Sequence, residues 1–264
     1  MKHTSKKLLL WLYSLPVEGK PAVPRKVPES HLDWLLAELT EDGRQSLVRH
    51  LQRERLLFTD HLEGFVRLSL SSHGRSQVEA DFPAIKKADQ PWQGDWRVIV
   101  FLTPPSIDKN FRYLRVQLLN ALCIQLSRGV YLHPGEVSEV IKNLLHDSYR
   151  QNVVVYKIDN WVFGDDSLII GQSDTVQGLI TVYSGIGREL KELLIKKPNQ
   201  KSLSDQQKQR LSSIFDRFVN SLEQDSGIIP YYFPDVTSGI NLLAQMQQGV
   251  EYDRQLLFLA KIGI

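Results

Sequence analysis

Positions 92–158 alternate four short apolar runs with two amphipathic ones, and that order leaves few folds open. Trp96-Arg97-Val98-Ile99-Val100-Phe101-Leu102 reads as an apolar strand stopped by Thr103-Pro104-Pro105. An amphipathic helix follows from about Ser106 to Leu122, with Phe111, Leu114, Leu118 and Leu122 on its inner side. Cys123–Ser127 and Val130–His133 are short strands that turn at Arg128-Gly129. Glu136–His146 is a second helix, with Val137, Val140, Ile141, Leu144 and Leu145 directed inward, and residues 152–156 form a fourth strand. The order β-α-β-β-α-β is that of a ferredoxin-like domain, expected over residues 90–172. That architecture alone implies no activity.

The N-terminal third predicts a different unit. Residues 6–15 read as a helix ended by Pro16 and the polar, proline-rich run VEGKPAVPRKVP. Ser30 can cap a second helix, HLDWLLAEL, with Leu32, Leu35, Leu36 and Leu39 on its apolar side. A third helix spans 40–55. Leu56–Thr59, a polar turn from Asp60 to Gly64, and Phe65–Leu70 then read as a hairpin. Three helices followed by a hairpin is the order of a winged helix-turn-helix, assigned to residues 1–82, with SSHGRSQVEADF as a short closing helix. Pro83 through Pro91 reads as a linker. From 173 onward the chain is mostly helical: Leu179–Leu194, Ser204–Gln224, an apolar turn that Pro230 and Pro234 hold out of helix, and a final helix. The expected fold class is therefore α+β and multidomain, with a helical C-terminal domain over 173–264.

Whole-chain numbers narrow the function. A hydrophobic fraction of 42% and a charged fraction of 23% are those of an ordinary globular protein. The formal net charge of +2 announces no long-range basic field, so nucleic-acid binding would need a local patch. One cysteine, Cys123 between Leu122 and Ile124, excludes an intramolecular disulfide and a thiolate-rich metal site, and points to the reducing cytosol. MKHTSKK followed by LLLWLYSL has the charge order of a signal peptide, but the apolar run is short and no A-x-A-like site follows; a core helix is the reading adopted. No stretch approaches the roughly 18 apolar residues that would span a membrane.

The stretch TEDGRQSLVRHLQRERLL, positions 40–57, carries the functional signal. Thr40 can cap its helix, and Glu41 and Asp42 suit the positive first turn. Leu47, Val48 and Leu51 form an apolar stripe, with Gln45, Ser46, Arg49 and Arg53 on the opposite side. Such a face is built for a DNA major groove, where Arg reads guanine edges, Gln reads adenine edges and Ser holds phosphate. Arg44 on the helix and Arg67 on the hairpin are candidates for phosphate, with His61 near the wing tip. A merely solvated face is the competing reading.

Three blocks resemble one family, the transcriptional repressors of the PaaX type. The first is LTEDGRQSLVRHLQRERLL with VRLSLSSHGRSQVEA. The second is WQGDWRVIVFLTPP with CIQLSRGVYLHP, similar to the family's Trp-x-Gly-x-Trp signature (Trp92, Gly94, Trp96) and its Leu-Ser-x-Gly-Val-aromatic turn (Leu126, Ser127, Gly129, Val130, Tyr131). The third is IFDRFVNSLEQDSGIIPYYFPDVTSGINLLAQM, similar to the family's helix, acidic turn, two prolines and final helix. Together they cover nearly the whole chain in the family's order. The resemblance implies a homodimeric, DNA-binding repressor released by a small-molecule effector such as a coenzyme A thioester. It marks no effector pocket in this chain, and no cofactor is implied.

Other chemistry finds less support. The middle domain also resembles the ferredoxin-like subunit of CRISPR integration complexes, some of which are metal-dependent nucleases. That chemistry needs an aspartate near the end of the first strand, where this chain has Phe101-Leu102-Thr103-Pro104. Gly185-Ile186-Gly187-Arg188 half-matches a dinucleotide fingerprint but lacks its last glycine and a preceding βαβ unit. The histidines at 31, 50, 61, 73, 133 and 146 show no metal-ligand spacing, and no catalytic set emerges. Asp165-Asp166-Ser167 reads as a turn. Trp92, Trp96 and Trp161 are expected in a core, and Tyr231-Tyr232-Phe233 either in a core or lining a pocket or dimer seam. A non-catalytic scaffold that keeps the winged helix as a docking module is the alternative to a DNA regulator.

Overall fold

The structure, a computed structural model, describes residues 1–15, 24–29, 32–62, 65–89, 92–103, 109–194 and 203–261. In chain order its elements are α1 (His3–Leu12), β1 (Val27–Pro28), α2 (Glu41–Arg53), β2 (Leu57–Leu62), β3 (Phe65–Leu70), α3 (Ser72–Asp81), α4 (Pro83–Asp89), β4 (Trp96–Phe101) and α5 (Lys109–Asn120). There follow β5 (Ile124–Ser127), β6 (Val130–Pro134), α6 (Glu139–Tyr149), β7 (Val153–Ile158), α7 (Asp166–Gly171), α8 (Asp174–Leu194), α9 (Asp205–Leu222), α10 (Ile229–Tyr232) and α11 (Gly239–Lys261). The fold is α+β with two antiparallel sheets, and no described helix is long and apolar enough to cross a membrane.

The chain divides into two compact units. One holds 1–90, 182–223 and 237–264, and the other holds 91–181 and 224–236. The stretch 173–264, expected as a separate domain, is thus divided between the units, and the boundary falls inside α8. The side chains show why most of it joins the N-terminal region. Trp11 of α1 packs edge-on against Trp34 at 4.9 Å and against Phe215 of α9 at 5.6 Å. Gln247 of α11 donates to the carbonyls of Trp11 and Tyr13 at 3.2 and 2.9 Å, closing the end of α1. Lys7, fully buried, reaches Glu38 at 3.1 Å and Asp216 at 2.7 Å, so its charge is compensated from two directions.

In this first unit the apolar run Leu8–Leu12 is core, as expected, in a helix that begins three residues earlier. The helix expected over 31–39 is instead a series of turns, closed by Leu36 N–H to the Leu32 carbonyl and Leu39 N–H to that of Leu36. Trp34, Leu35 and Leu36 are all buried in these turns. The capping role assigned to Ser30 lies outside the described residues, as do the turn at 63–64 and the connection over 195–202. The three-stranded sheet has order β1-β3-β2. The unexpected β1 lies in the proline-rich run, where Val27 pairs with Leu68 and Pro28 with Arg67 at the sheet edge. The expected linker after 82 is the helix α4, started by Pro83 at its first position and buried through Ala84 and Ile85.

The second unit's sheet has order β5-β6-β4-β7 with every pairing antiparallel, and α5 and α6 cover one face. That core gathers Ile99, Phe101, Phe111, Leu118, Tyr131, Ile141 and Tyr149. Leu122 ends α5 in a left-handed conformation (φ 65°) and is only half-buried, and Val140 is 69% exposed, so neither is the inward residue expected. The opposite face buries Trp96, Val98, Ile124 and Leu132 with Trp92, Ile170, Val176 and Ile228. Asp165 caps α7, accepting from the N–H groups of Ser167 and Leu168, so the expected turn is a helix start. Pro230 opens the single-turn helix α10; Pro234 ends nothing longer than that turn.

Candidate nucleic-acid interface

Local chemistry builds α2 as the sequence implies. The Thr40 hydroxyl accepts the Gly43 N–H at 3.2 Å, Glu41 and Asp42 occupy the first turn, and His50 and Arg53 the last. Val48 and Leu51 are buried and Leu47 half-buried, which fixes the helix's inner face. Its far end is locked by a close approach. The Ser71 hydroxyl donates to the Arg55 carbonyl at 2.6 Å, Ser71 N–H to that of Leu56 at 3.1 Å, and Gly74 of α3 lies so near that a Cβ there would stand 2.1 Å from the Leu56 oxygen. Gln52 donates to the Thr59 hydroxyl at 2.8 Å, tying α2 to β2.

Gln45, Ser46, Arg49 and Arg53 are all exposed and, at 3.6 residues per turn, fall within an arc of about 100° on the side away from Val48 and Leu51. The structure brings these four together. Their own bonds are slight: Gln45 donates to Glu41 at 3.4 Å and Arg49 Nε to the Gln45 carbonyl at 3.3 Å. Ser46 and Arg53 have no side-chain partner among the described residues.

The two phosphate candidates differ. Arg44 is engaged, its guanidinium bridging Asp33 at 2.7 Å and Glu41 at 2.8 Å. Glu29 stands nearby with its carboxyl pushed up, first by burial and then by the Glu41 charge. Arg67 lies on β3 opposite Asp60, half-exposed. Lys26, bonded to Asp60 at 3.0 Å, holds that carboxyl below its usual range. His61 is exposed on β2. Sequence reasoning left out Lys26 and His50, whose basic side chains flank the arc and the hairpin; their signal was charge alone.

In the second unit Trp92 and Trp96 are buried, Trp161, Tyr232 and Phe233 half-buried, and Tyr231 exposed. Trp92 and Trp96 meet edge-on at 4.8 Å, and Tyr232 accepts from Trp96 Nε1 at 2.8 Å while donating to Asp166 at 2.9 Å. Burial, with the Asp166 charge, pushes the Tyr232 hydroxyl well above its ordinary range. Tyr231 is 52% exposed and packs on Trp92 at 5.0 Å. Asp95 is held below the usual carboxylate range by Arg97, bonded at 2.7 Å, and Arg97 also binds Glu136. No group of three or more His, Cys, Asp or Glu side chains among the described residues is arranged to hold a metal ion.

No family model and no curated protein matches the chain. Among solved structures it is similar to the uncharacterized protein Rv0674 from Mycobacterium tuberculosis, at 15% identity over 97% of each chain with a TM-score of 0.49. At that level the likeness assigns neither family nor activity.

Proposed function

We propose that this chain is a sequence-specific DNA-binding regulator, a dimeric repressor of the PaaX type. The first unit is then a winged helix, with α2 in the major groove and the β2–β3 hairpin as its wing, and the second unit is a ferredoxin-like domain. The observation that carries this reading is the exposed arc of Gln45, Ser46, Arg49 and Arg53, nearly devoid of internal bonds, on a helix rigidly seated by its opposite face. Arg49 and Arg53 suit guanine edges, Gln45 an adenine edge and Ser46 a phosphate. Dimerisation and release by an effector such as a coenzyme A thioester rest on the sequence resemblance. The test is a gel shift on the DNA upstream of the chain's own gene at two salt concentrations, against random duplex. Salt-sensitive binding that survives the competitor supports the reading; no binding at low salt overturns it.

The pairing of Arg44 with Asp33 and Glu41 favours a second reading, a scaffold whose helix face docks a protein. A stable protein partner recovered by pull-down, together with absent promoter binding, would establish it.

A further inference from the structure

A cleft of about 630 Å³ opens in the first unit between the amino end of α1 and the flank of α2. Its charged and hydroxyl walls are Lys2, Thr4, Ser5, Ser46, His50 and Arg53, and no carboxylate lines it. Lys2, His50 and Arg53 have no partner among the described residues, in contrast to Lys6 and Lys7 one turn further along, which are paired with Glu223, Glu38 and Asp216. Lys2 is the N-cap of α1 and offers no side-chain cap to the first N–H groups of the helix, and Thr4 and Ser5 of that first turn line the cleft. Ser5 supplies an independent sign. The residue is 2% exposed, lines the cleft, and its hydroxyl has no hydrogen-bond partner among the described residues. A nearly buried hydroxyl without an acceptor, beside the side chains of Lys2 and Arg53 and a helix start without a side-chain cap, matches what an anion requires.

We propose that this cleft is a phosphate-binding site. Its volume has room for a phosphate carried on a larger molecule. Ser46 and Arg53 belong both to the outer arc of α2 and to the cleft, which places a phosphate here on the strand beside the groove that α2 would enter. That assignment of source rests on the DNA reading above; the site itself does not, since a phosphorylated small molecule presents the same chemistry.

The experiment compares the full chain with Lys2→Gln/His50→Gln, both exposed positions, and with Lys86→Gln on α4 as a charge control away from the cleft. Inorganic pyrophosphate is titrated while the amide signals of Thr4 and Ser5 are followed by NMR, and the salt dependence of duplex binding is measured in parallel. The expected result is saturable movement of both amides, weakened at least ~tenfold in the double variant and unchanged in the control. If DNA supplies the phosphate, the double variant also lowers the salt slope by about one unit, equally for promoter and random duplex. Pyrophosphate binding without DNA binding, or without a change in slope, keeps the site and assigns it to a small molecule. Amides that stay still, with an unchanged slope, overturn the proposal.

Discussion

The aromatic nest of the second unit and the outer arc of α2 are opposite uses of conspicuous side chains. In the nest a chain of hydrogen bonds and ring contacts joins the side chains: Trp96 Nε1 donates to Tyr232, Tyr232 to Asp166, and Trp92 packs on Trp96 and Tyr231. Gly94, at φ +86°, turns the chain between the two tryptophans, and a Cβ there would stand 3.2 Å from the Tyr231 hydroxyl. The Trp-x-Gly-x-Trp signature and the Tyr231-Tyr232 segment are therefore two halves of one packing unit. On α2 the helix is seated by Val48, Leu51 and its caps, while the arc residues contribute almost nothing to that seat. Conspicuous residues that are internally bonded define architecture; those left unbonded on a rigid element are free for a partner.

The largest expected effect tests the rigidity of that element. Gly74→Ala drives a methyl against the Leu56 carbonyl, backbone against backbone with no flexible side chain to yield. Destabilisation of more than about 3 kcal/mol is expected in urea unfolding. A variant as stable as the parent would show that the end of α2 is not anchored through α3.

Next is a pH effect in the second unit's interior. Burial pushes the Cys123 thiol up to about 12. The folded state then keeps its proton where the unfolded chain, titrating near 8.5, has lost it, so stability falls as pH rises from about 9 towards 12. Between pH 8 and 10.5 this amounts to about 2.5 kcal/mol. Cys123→Ala should lack that part of the alkaline loss; parallel stability curves for parent and variant would show the thiol to be solvated. A smaller effect follows from Tyr232→Phe, which removes the acceptor of Trp96 Nε1 and the donor to Asp166, costing about 1–2 kcal/mol. Unchanged stability would mean that water satisfies the indole, and the nest would no longer contrast with the arc.

The same contrast explains what the sequence disclosed. α2 was legible because cap, first-turn acids and apolar stripe all agree, and the order of strands and helices in 96–158 because their periods switch cleanly. The run 32–39 misled because Leu32, Leu35, Leu36 and Leu39 repeat at helical spacing although the segment forms turns. Pro83 was read as a breaker, yet proline also starts helices, and only the burial of Ala84 and Ile85 decides between those roles. The union of 182–223 with the N-terminal region had no local signal at all. It rests on Lys7–Asp216 and Trp11–Phe215, contacts between residues some two hundred positions apart. Of the candidate site, the arc was legible from helical spacing, whereas the engagement of Arg44 by Asp33 depends on the turns preceding α2.

The smallest effect on stability carries the sharpest functional test. Arg49 holds one weak bond at 3.3 Å and Arg53 none among the described residues, so Arg49→Ala and Arg53→Ala should each leave stability within about 0.5 kcal/mol of the parent. Under the regulator reading Arg49→Ala still costs about 1–3 kcal/mol in promoter affinity and relaxes discrimination at one base pair, because a bidentate guanine contact is lost. Arg44→Ala makes the informative partner. Its guanidinium is already held by Asp33 and Glu41, so its removal should lower stability more than Arg49→Ala does while changing promoter discrimination less. The reverse pattern, with discrimination lost at Arg44 and kept at Arg49, would move the reading surface off the outer arc and onto the turn-facing edge of α2.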